Sequence, residues 1–309
     1  MNNILFKGVY SALSTPLRDD GSINEEAARK LMRWHIESGL NGFYICGATG
    51  EGVVLSTSAR KQLAEIAVDE AKGKAVVINH VGAVDLVTAN ELAAHSAAIG
   101  VDAISSVPPF FYHYGLPEIR DYYMALTEVS GLPTLIYASP LAGTAFSPEM
   151  VESLMGIKGV IGLKWTSIDY ISMYKIKQIN KGNINVLNGP DDTFLFGLLM
   201  GADGGIGATY NVMPGLFADM YRAYSAGELE KTREIQLKIN TLIDVLLEFG
   251  VLTGIKEILI SIGYDMGHCT YPLKRFSEDE RKAFFKRLEE LQYSNNFAMS
   301  TASLTGESL

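Results

Sequence analysis

The chain has 309 residues, 48% of them apolar, with a formal net charge of −9 and two cysteines. That length suits one large α/β domain or a barrel with an extension. The acidic balance, with no basic run to meet phosphates, argues against nucleic acid as a partner, and two cysteines cannot make a disulfide framework.

β-rich runs are expected at residues 8–17, 42–48, 75–82, 103–109, 134–140, 160–165, 184–189 and 204–210. Helical patterns lie between them, as at 24–39, 57–73, 87–100 and 117–130. Ser147 before Pro148 and Glu149 reads as a helix cap, as does Asp191 or Asp192 before Thr193, and Gly39, Gly73, Gly100 and Gly227 read as stops. Eight strands in strict alternation with helices predict an α/β fold closed as a (β/α)8 TIM barrel. The barrel would occupy residues 1–227, and a C-terminal helical extension 228–293, with helices at 228–249, 252–262 and 277–291. That extension would cover one side of the barrel or build a subunit interface. The small, polar stretch 294–309 is expected to be a disordered tail. No run approaches the ~20 apolar residues of a membrane helix, and residues 1–7 lack the pattern of a secretory signal. A soluble, cytoplasmic protein with no membrane partner is expected.

In a barrel the chemistry gathers where strands end. The sixth run, Gly159-Val-Ile-Gly-Leu-Lys164-Trp165-Thr166, carries a lysine near its end. An ammonium is costly to desolvate, so such a lysine is paired, reaches out to water along its apolar stem, or is driven toward its neutral amine. A neutral amine can condense with a ketone to form a Schiff base. The fifth run ends at Tyr137, whose hydroxyl could move a proton beside that amine. Alternation along the sixth run turns Lys164 and Gly162 inward, with Gly162 leaving space, and Leu163 and Trp165 toward the helices.

The second run ends in Gly47-Ala48-Thr49-Gly50-Glu51-Gly52, a Gly-rich turn whose N–H groups and Thr49 hydroxyl could hold a carboxylate. The fourth ends in Pro108-Pro109-Phe110-Phe111-Tyr112-His113-Tyr114, an aromatic cluster that is loop packing or a lid. Glycines after the seventh and eighth runs could suggest a phosphate site, but Asp191 and Asp192 oppose phosphate and suit the hydroxyls of a polyol. No metal site is expected, because His35 and His95 fall in helices and no His pair has ligand spacing. Cys46 reads as a small core residue.

The ordered set Gly47-Ala-Thr-Gly-Glu51, Tyr137…Lys164 and Gly201-Ala-Asp-Gly-Gly-Ile-Gly207 resembles the pyruvate-dependent class I aldolases, the family of dihydrodipicolinate synthase and N-acetylneuraminate lyase. The likeness runs from about Lys7 to about Leu291. It implies a (β/α)8 barrel, commonly a homotetramer, with Lys164 forming the imine, Tyr137 moving the proton and Thr49 holding the pyruvate carboxylate. No cofactor is implied, because the lysine imine does the electronic work. Asn79-His80-Val81-Gly82, Lys164-Trp-Thr166 and Thr209-Tyr-Asn211 look like the sialic acid lyase branch. On that likeness Thr166, Gly189, Asp191, Asp192, Gly207 and Ala208 match the positions that hold the sugar portion, and Ala48, Phe111 and Tyr112 line the substrate.

The departures are specific. Ala48 stands where the lyases have Ser, Phe111 where they often have Tyr, Asp192 where they have Glu and Ala208 where they have Ser. Ala142 stands where the synthases have the Arg that holds a second carboxylate. The function implied is reversible cleavage of a 2-keto-3-deoxy sugar acid, first N-acetylneuraminate, to pyruvate and N-acetylmannosamine. A shorter sugar acid, dihydrodipicolinate synthesis, and a non-catalytic keto-acid-binding barrel are the alternatives.

Overall fold

The computed structural model describes residues 2–293, apart from the side chain of Leu141. The tail expected at 294–309 lies outside the described residues. Strand β1 (Gly8–Ala12) leads to helix α1 (Glu25–Glu37), β2 (Gly42–Ile45) to α2 (Thr57–Ala71), β3 (Val76–His80) to α3 (Leu86–Ile99) and β4 (Ala103–Ser106) to α4 (Leu116–Ser130). The second half repeats the unit: β5 (Thr134–Ala138) and α5 (Pro148–Met155), β6 (Val160–Trp165) and α6 (Tyr170–Lys177), β7 (Asn185–Asn188) and α7 (Phe194–Leu199), β8 (Gly204–Gly207) and α8 (Pro214–Ser225). The strands pair in parallel in chain order, and β8 closes on β1, so the fold is the TIM barrel that the alternation predicts.

Several strands stop earlier than the sequence suggests, and local chemistry shows why. Beyond β2, Cys46 takes a left-handed φ of 57° and turns the chain out of the sheet. Beyond β4, the Val107 N–H donates to His80 Nε2 at 3.3 Å, and Pro108 and Pro109 have no N–H to give. Beyond β8, the Thr209 N–H donates to Asp191 Oδ2 at 2.8 Å, and a 3-10 turn over Thr209–Asn211 replaces the expected last residues of strand. That bond also corrects an expected cap. Ser147 caps α5 by accepting from the Met150 N–H, but neither Asp191 nor Asp192 caps α7, whose first turn follows Thr193 without a side-chain cap.

Alternation sorts the side chains into layers. Tyr10, Tyr44, Ile78, Leu135, Tyr137, Leu187 and Ile206 fill the barrel interior. Leu163, Trp165 and Val186 face the helices on one side, and Val9, Phe43 and Ile45 do so on the other. Past residue 227 run α9 (Leu229–Phe249), α10 (Val251–Ser261) and α11 (Glu278–Glu290), close to their expected bounds. Leu242, Leu246, Ile255, Leu259 and Phe284 of these helices join the same apolar cluster as Val9 and Phe43. The extension and one side of the barrel therefore share a core.

One irregularity places the chemistry. Between β5 and β6 the register shifts by a residue, pairing Thr134 with Val160 but Leu135 with Gly162. A bulge of this kind re-aims every side chain beyond it. Here it sets Tyr137 directly beside Lys164 on the inner face.

Candidate active site

Lys164, the penultimate residue of β6, lies inside the barrel with 5% of its surface exposed. Its Nζ lies 4.5 Å from the centroid of the Tyr137 ring and 4.8 Å from that of Tyr44. Among the described ion pairs none involves this amine, which two aromatic faces flank while the Asp191 carboxylate is near enough to feel its charge. Tyr44 from β2 is fully buried, donates to Ser105 Oγ at 3.0 Å and meets the Tyr137 ring edge-on at 5.8 Å. Burial drives the Tyr44 phenol well above its ordinary range, so it stays protonated. The Tyr137 hydroxyl takes part in no hydrogen bond among the described residues, which leaves it available to a ligand beside Lys164.

His80 closes this group from β3, its ring edge-on to Tyr137 at 5.8 Å. Burial first, then the positive Arg60 nearby, push its pKa down to about 3, so the imidazole is neutral. Nδ1 lies 3.0 Å from the Cys46 carbonyl and Nε2 accepts from the Val107 N–H, which assigns the proton to Nδ1. Arg60 itself, buried on α2, donates to the carbonyls of His80 at 2.7 Å and Gly82 at 3.0 Å. Tyr44 and Arg60 escaped the sequence reading, and His80 entered it only as part of a branch motif. The inward phase of Gly42 and Tyr44 was a usable signal for the first. Nothing local marks Arg60, whose acceptors lie on another element.

The turn after β2 is built as a cradle. Glu51 N–H closes on the Ala48 carbonyl at 3.1 Å and Gly52 N–H on Gly47 at 3.0 Å. The buried N–H groups of Thr49 and Gly50 donate to no acceptor among the described residues. Two adjacent unmatched donors suit an anionic group such as a carboxylate. A β-carbon on Gly52 would collide with the Cys46 carbonyl, so the turn requires glycine there. Ala48 is exposed at the rim.

The opposite rim carries the polyol candidates. Thr166 follows Lys164, its buried Oγ1 without a hydrogen-bond partner, and packs on Gly189 so closely that a β-carbon there would meet Thr166 Cα at 2.9 Å. Asp191 accepts from both the N–H and the hydroxyl of Thr209 at 2.8 Å. Burial raises its pKa to about 6, against the pull of those two donors and of Lys164. Gly207 leaves the room that the Asp191 carboxylate takes. Asp192 and Ala208 are partly exposed beside it, and Asn240 of α9 holds the Asp192 carbonyl at 2.9 Å.

A cavity of about 380 Å³ opens over the ends of β5 and β6, lined by Ser139, Thr144, Trp165, Thr166, Ser167 and Asp169 among others. Phe111 and Tyr112 are not among its lining. They are 84% and 69% exposed and line a second cavity of about 510 Å³ with Tyr114, Ala142 and Glu149. Within one chain, then, the structure gathers Lys164, Tyr137 and Tyr44 and arranges Thr49 and Asp191 at the strand ends, while neither cavity is lined by Lys164 or Tyr137 and the two adjoin through Gly143, Thr144 and Ala145. Gly162 also differs from expectation. Expected to turn inward and leave space, it gives room to β7 instead, since a β-carbon would strike the Asn185 backbone.

With this geometry in hand, the family model described as the dihydrodipicolinate synthetase family matches residues 5–291. An N-acetylneuraminate lyase of Escherichia coli (strain SMS-3-5 / SECEC) is 38% identical over 257 residues, covering 82% of this chain and 86% of that protein. A solved structure described as CdNal from Clostridium difficile in complex with mannosamine superposes with a TM-score of 0.88 at 32% identity, covering 94% of this chain and 99% of the other. N-acetylneuraminate lyase from Fusobacterium nucleatum gives a TM-score of 0.86 at 32% identity, with 92% and 98% covered.

Proposed function

The chain belongs to the dihydrodipicolinate synthetase family, and from that premise we propose that it is a Schiff-base lyase acting reversibly on N-acetylneuraminate. The observation that carries this assignment is the buried, register-matched pair Tyr137–Lys164, with an amine among aromatic rings and a phenol free to move a proton. The unmatched N–H groups of Thr49 and Gly50 receive the substrate carboxylate. Lys164 Nζ attacks the C2 carbonyl, water leaves, and the iminium becomes the electron sink. Tyr137 takes the proton from the C4 hydroxyl as the C3–C4 bond breaks, giving N-acetylmannosamine and an enamine on Lys164. Protonation of the enamine carbon and hydrolysis of the imine return pyruvate and the free amine. No external cofactor enters, because the iminium accepts the electrons.

Asp191, Asp192, Thr166, Gly189, Gly207 and Ala208 face the sugar portion in this assignment. At the sugar end Asp192 is shorter than the Glu of the lyases and Ala208 brings no hydroxyl, and each lost hydrogen bond is worth ~0.5–1.5 kcal/mol. That favours, as a second reading, a shorter 2-keto-3-deoxy sugar acid. Dihydrodipicolinate synthesis lacks its cation, since Ala142 stands at that position. A homotetramer in the cytoplasm is proposed with the activity, and the exposed Phe111 and Tyr112 are suited to burial against a second copy.

Pyruvate release measured with N-acetylneuraminate and with a shorter 2-keto-3-deoxy sugar acid tests the assignment. The higher kcat/KM should belong to N-acetylneuraminate. The reverse order favours the second reading, and no pyruvate from either overturns both.

A further inference from the structure

The molecule buries a charged pair that the chemistry above does not use. Lys256 of α10 and Glu51 have side chains 3% and 0% exposed, with Nζ 2.7 Å from Oε1. Glu51 Oε2 accepts from the Thr270 N–H at 2.6 Å, and Lys256 also donates to the His268 carbonyl at 3.0 Å. Desolvating two charges brings little net stability over an apolar pair of similar shape. The location of this pair is therefore more informative than its strength.

Glu51 stands two residues after Thr49, with a left-handed φ of 58°, and its own N–H closes the turn on Ala48. On the barrel side that turn has no slack, because Gly52 already abuts the Cys46 carbonyl and the Thr15 hydroxyl donates to the Gly50 carbonyl at 2.7 Å. On the other side the Glu51 carboxylate is held by α10 and by the segment after it. The donors of Thr49 and Gly50 are thus fixed from both directions.

Resting on the lyase assignment above, we propose that Lys256 is a positioning residue for substrate binding. Through Glu51 it holds the Thr49–Gly50 N–H pair in the orientation that receives the keto-acid carboxylate. The C-terminal helices then contribute to the site without touching the substrate. A purely structural pair would instead affect every ligand of Lys164 alike.

The test is borohydride trapping of the full-length protein with pyruvate and, in parallel, with acetone, a ketone that forms the same imine but has no carboxylate. Wild type, Lys256→Met and the double variant Glu51→Gln/Lys256→Met are compared, with thermal melting as a check on folding. Lys256→Met leaves a buried carboxylate unpaired and should melt early. The double variant leaves no unpaired charge and should recover stability. In it, the pyruvate concentration for half-maximal trapping should rise by about five-fold or more while acetone trapping stays unchanged. If the double variant does not fold, Glu51→Gln alone, which keeps the shape, carries the same comparison. Equal losses for pyruvate and acetone, or no change for either in a folded variant, overturn the proposal. Failure of wild type to trap pyruvate is a different result and overturns the lyase assignment instead.

Discussion

The Tyr137 hydroxyl forms no hydrogen bond within the described protein, so its removal should affect chemistry and not stability. Tyr137→Phe is expected to lower kcat by about 10²–10⁴-fold, the usual contribution of a positioned proton carrier. Its melting temperature should stay at that of wild type. A kcat within a few-fold of wild type would assign the proton to another group. Asp191 gives a second residue-scale prediction. Its folded pKa, raised to about 6 by burial, lies above that of an ordinary carboxyl. A raised carboxyl favours folding in its protonated form, so that contribution is present below the unfolded pKa and is lost as pH rises through about 6. Asp191→Asn should therefore melt higher than wild type at pH 8, and the gain should vanish as pH falls toward 4. In the wild type the KM for the sugar acid should show an inflection near pH 6, absent in Asp191→Asn. An unchanged profile would remove Asp191 from the sugar site.

Elements decide what the residue scale leaves open. Lys164 and Tyr137 were legible because strand alternation and strand ends are local properties of sequence. The bulge between β5 and β6 was not, since a register shift is a property of two strands together. The same limit applied to strand ends: Cys46, Val107 and Thr209 leave the sheet for partners that no window of sequence displays. The need for a residue without a side chain at Gly162 was legible, but its direction was not, because the bulge puts Ile161 in the interior and the Asn185 backbone that crowds Gly162 belongs to the next strand. Gly162→Ala should push β6 from β7 and cost about 1–3 kcal/mol in urea denaturation. Because Lys164 lies two residues on, pyruvate trapping should slow in the same variant. A variant of unchanged stability and trapping would mean that β7 yields easily to the added methyl.

At the scale of the whole molecule the extension is tied to the barrel by apolar packing and by polar ties at two rims. Gln236 of α9 donates to the Asp191 carbonyl at 3.1 Å and accepts from the Leu195 N–H at 2.9 Å, while Lys256 holds Glu51 at 2.7 Å. These partners lie far apart in sequence, which is why the extension could be located in advance but its hold on the site could not. With Leu242, Leu246, Ile255 and Leu259 in a core shared with Val9 and Phe43, and each buried side chain of this size worth ~1.5–3 kcal/mol, the two parts should not unfold separately. Calorimetry is expected to show one cooperative transition. Two resolved transitions would mean that the shared core does not couple them.

The central claim is that Lys164 forms an imine with the keto acid. Peptide mapping by mass spectrometry after borohydride reduction, with pyruvate in one sample and N-acetylneuraminate in another, tests it most directly. The account predicts a pyruvate-sized adduct on Lys164 from both. Absence of an adduct on Lys164 from either would contradict it and leave the lysine a structural residue of the barrel.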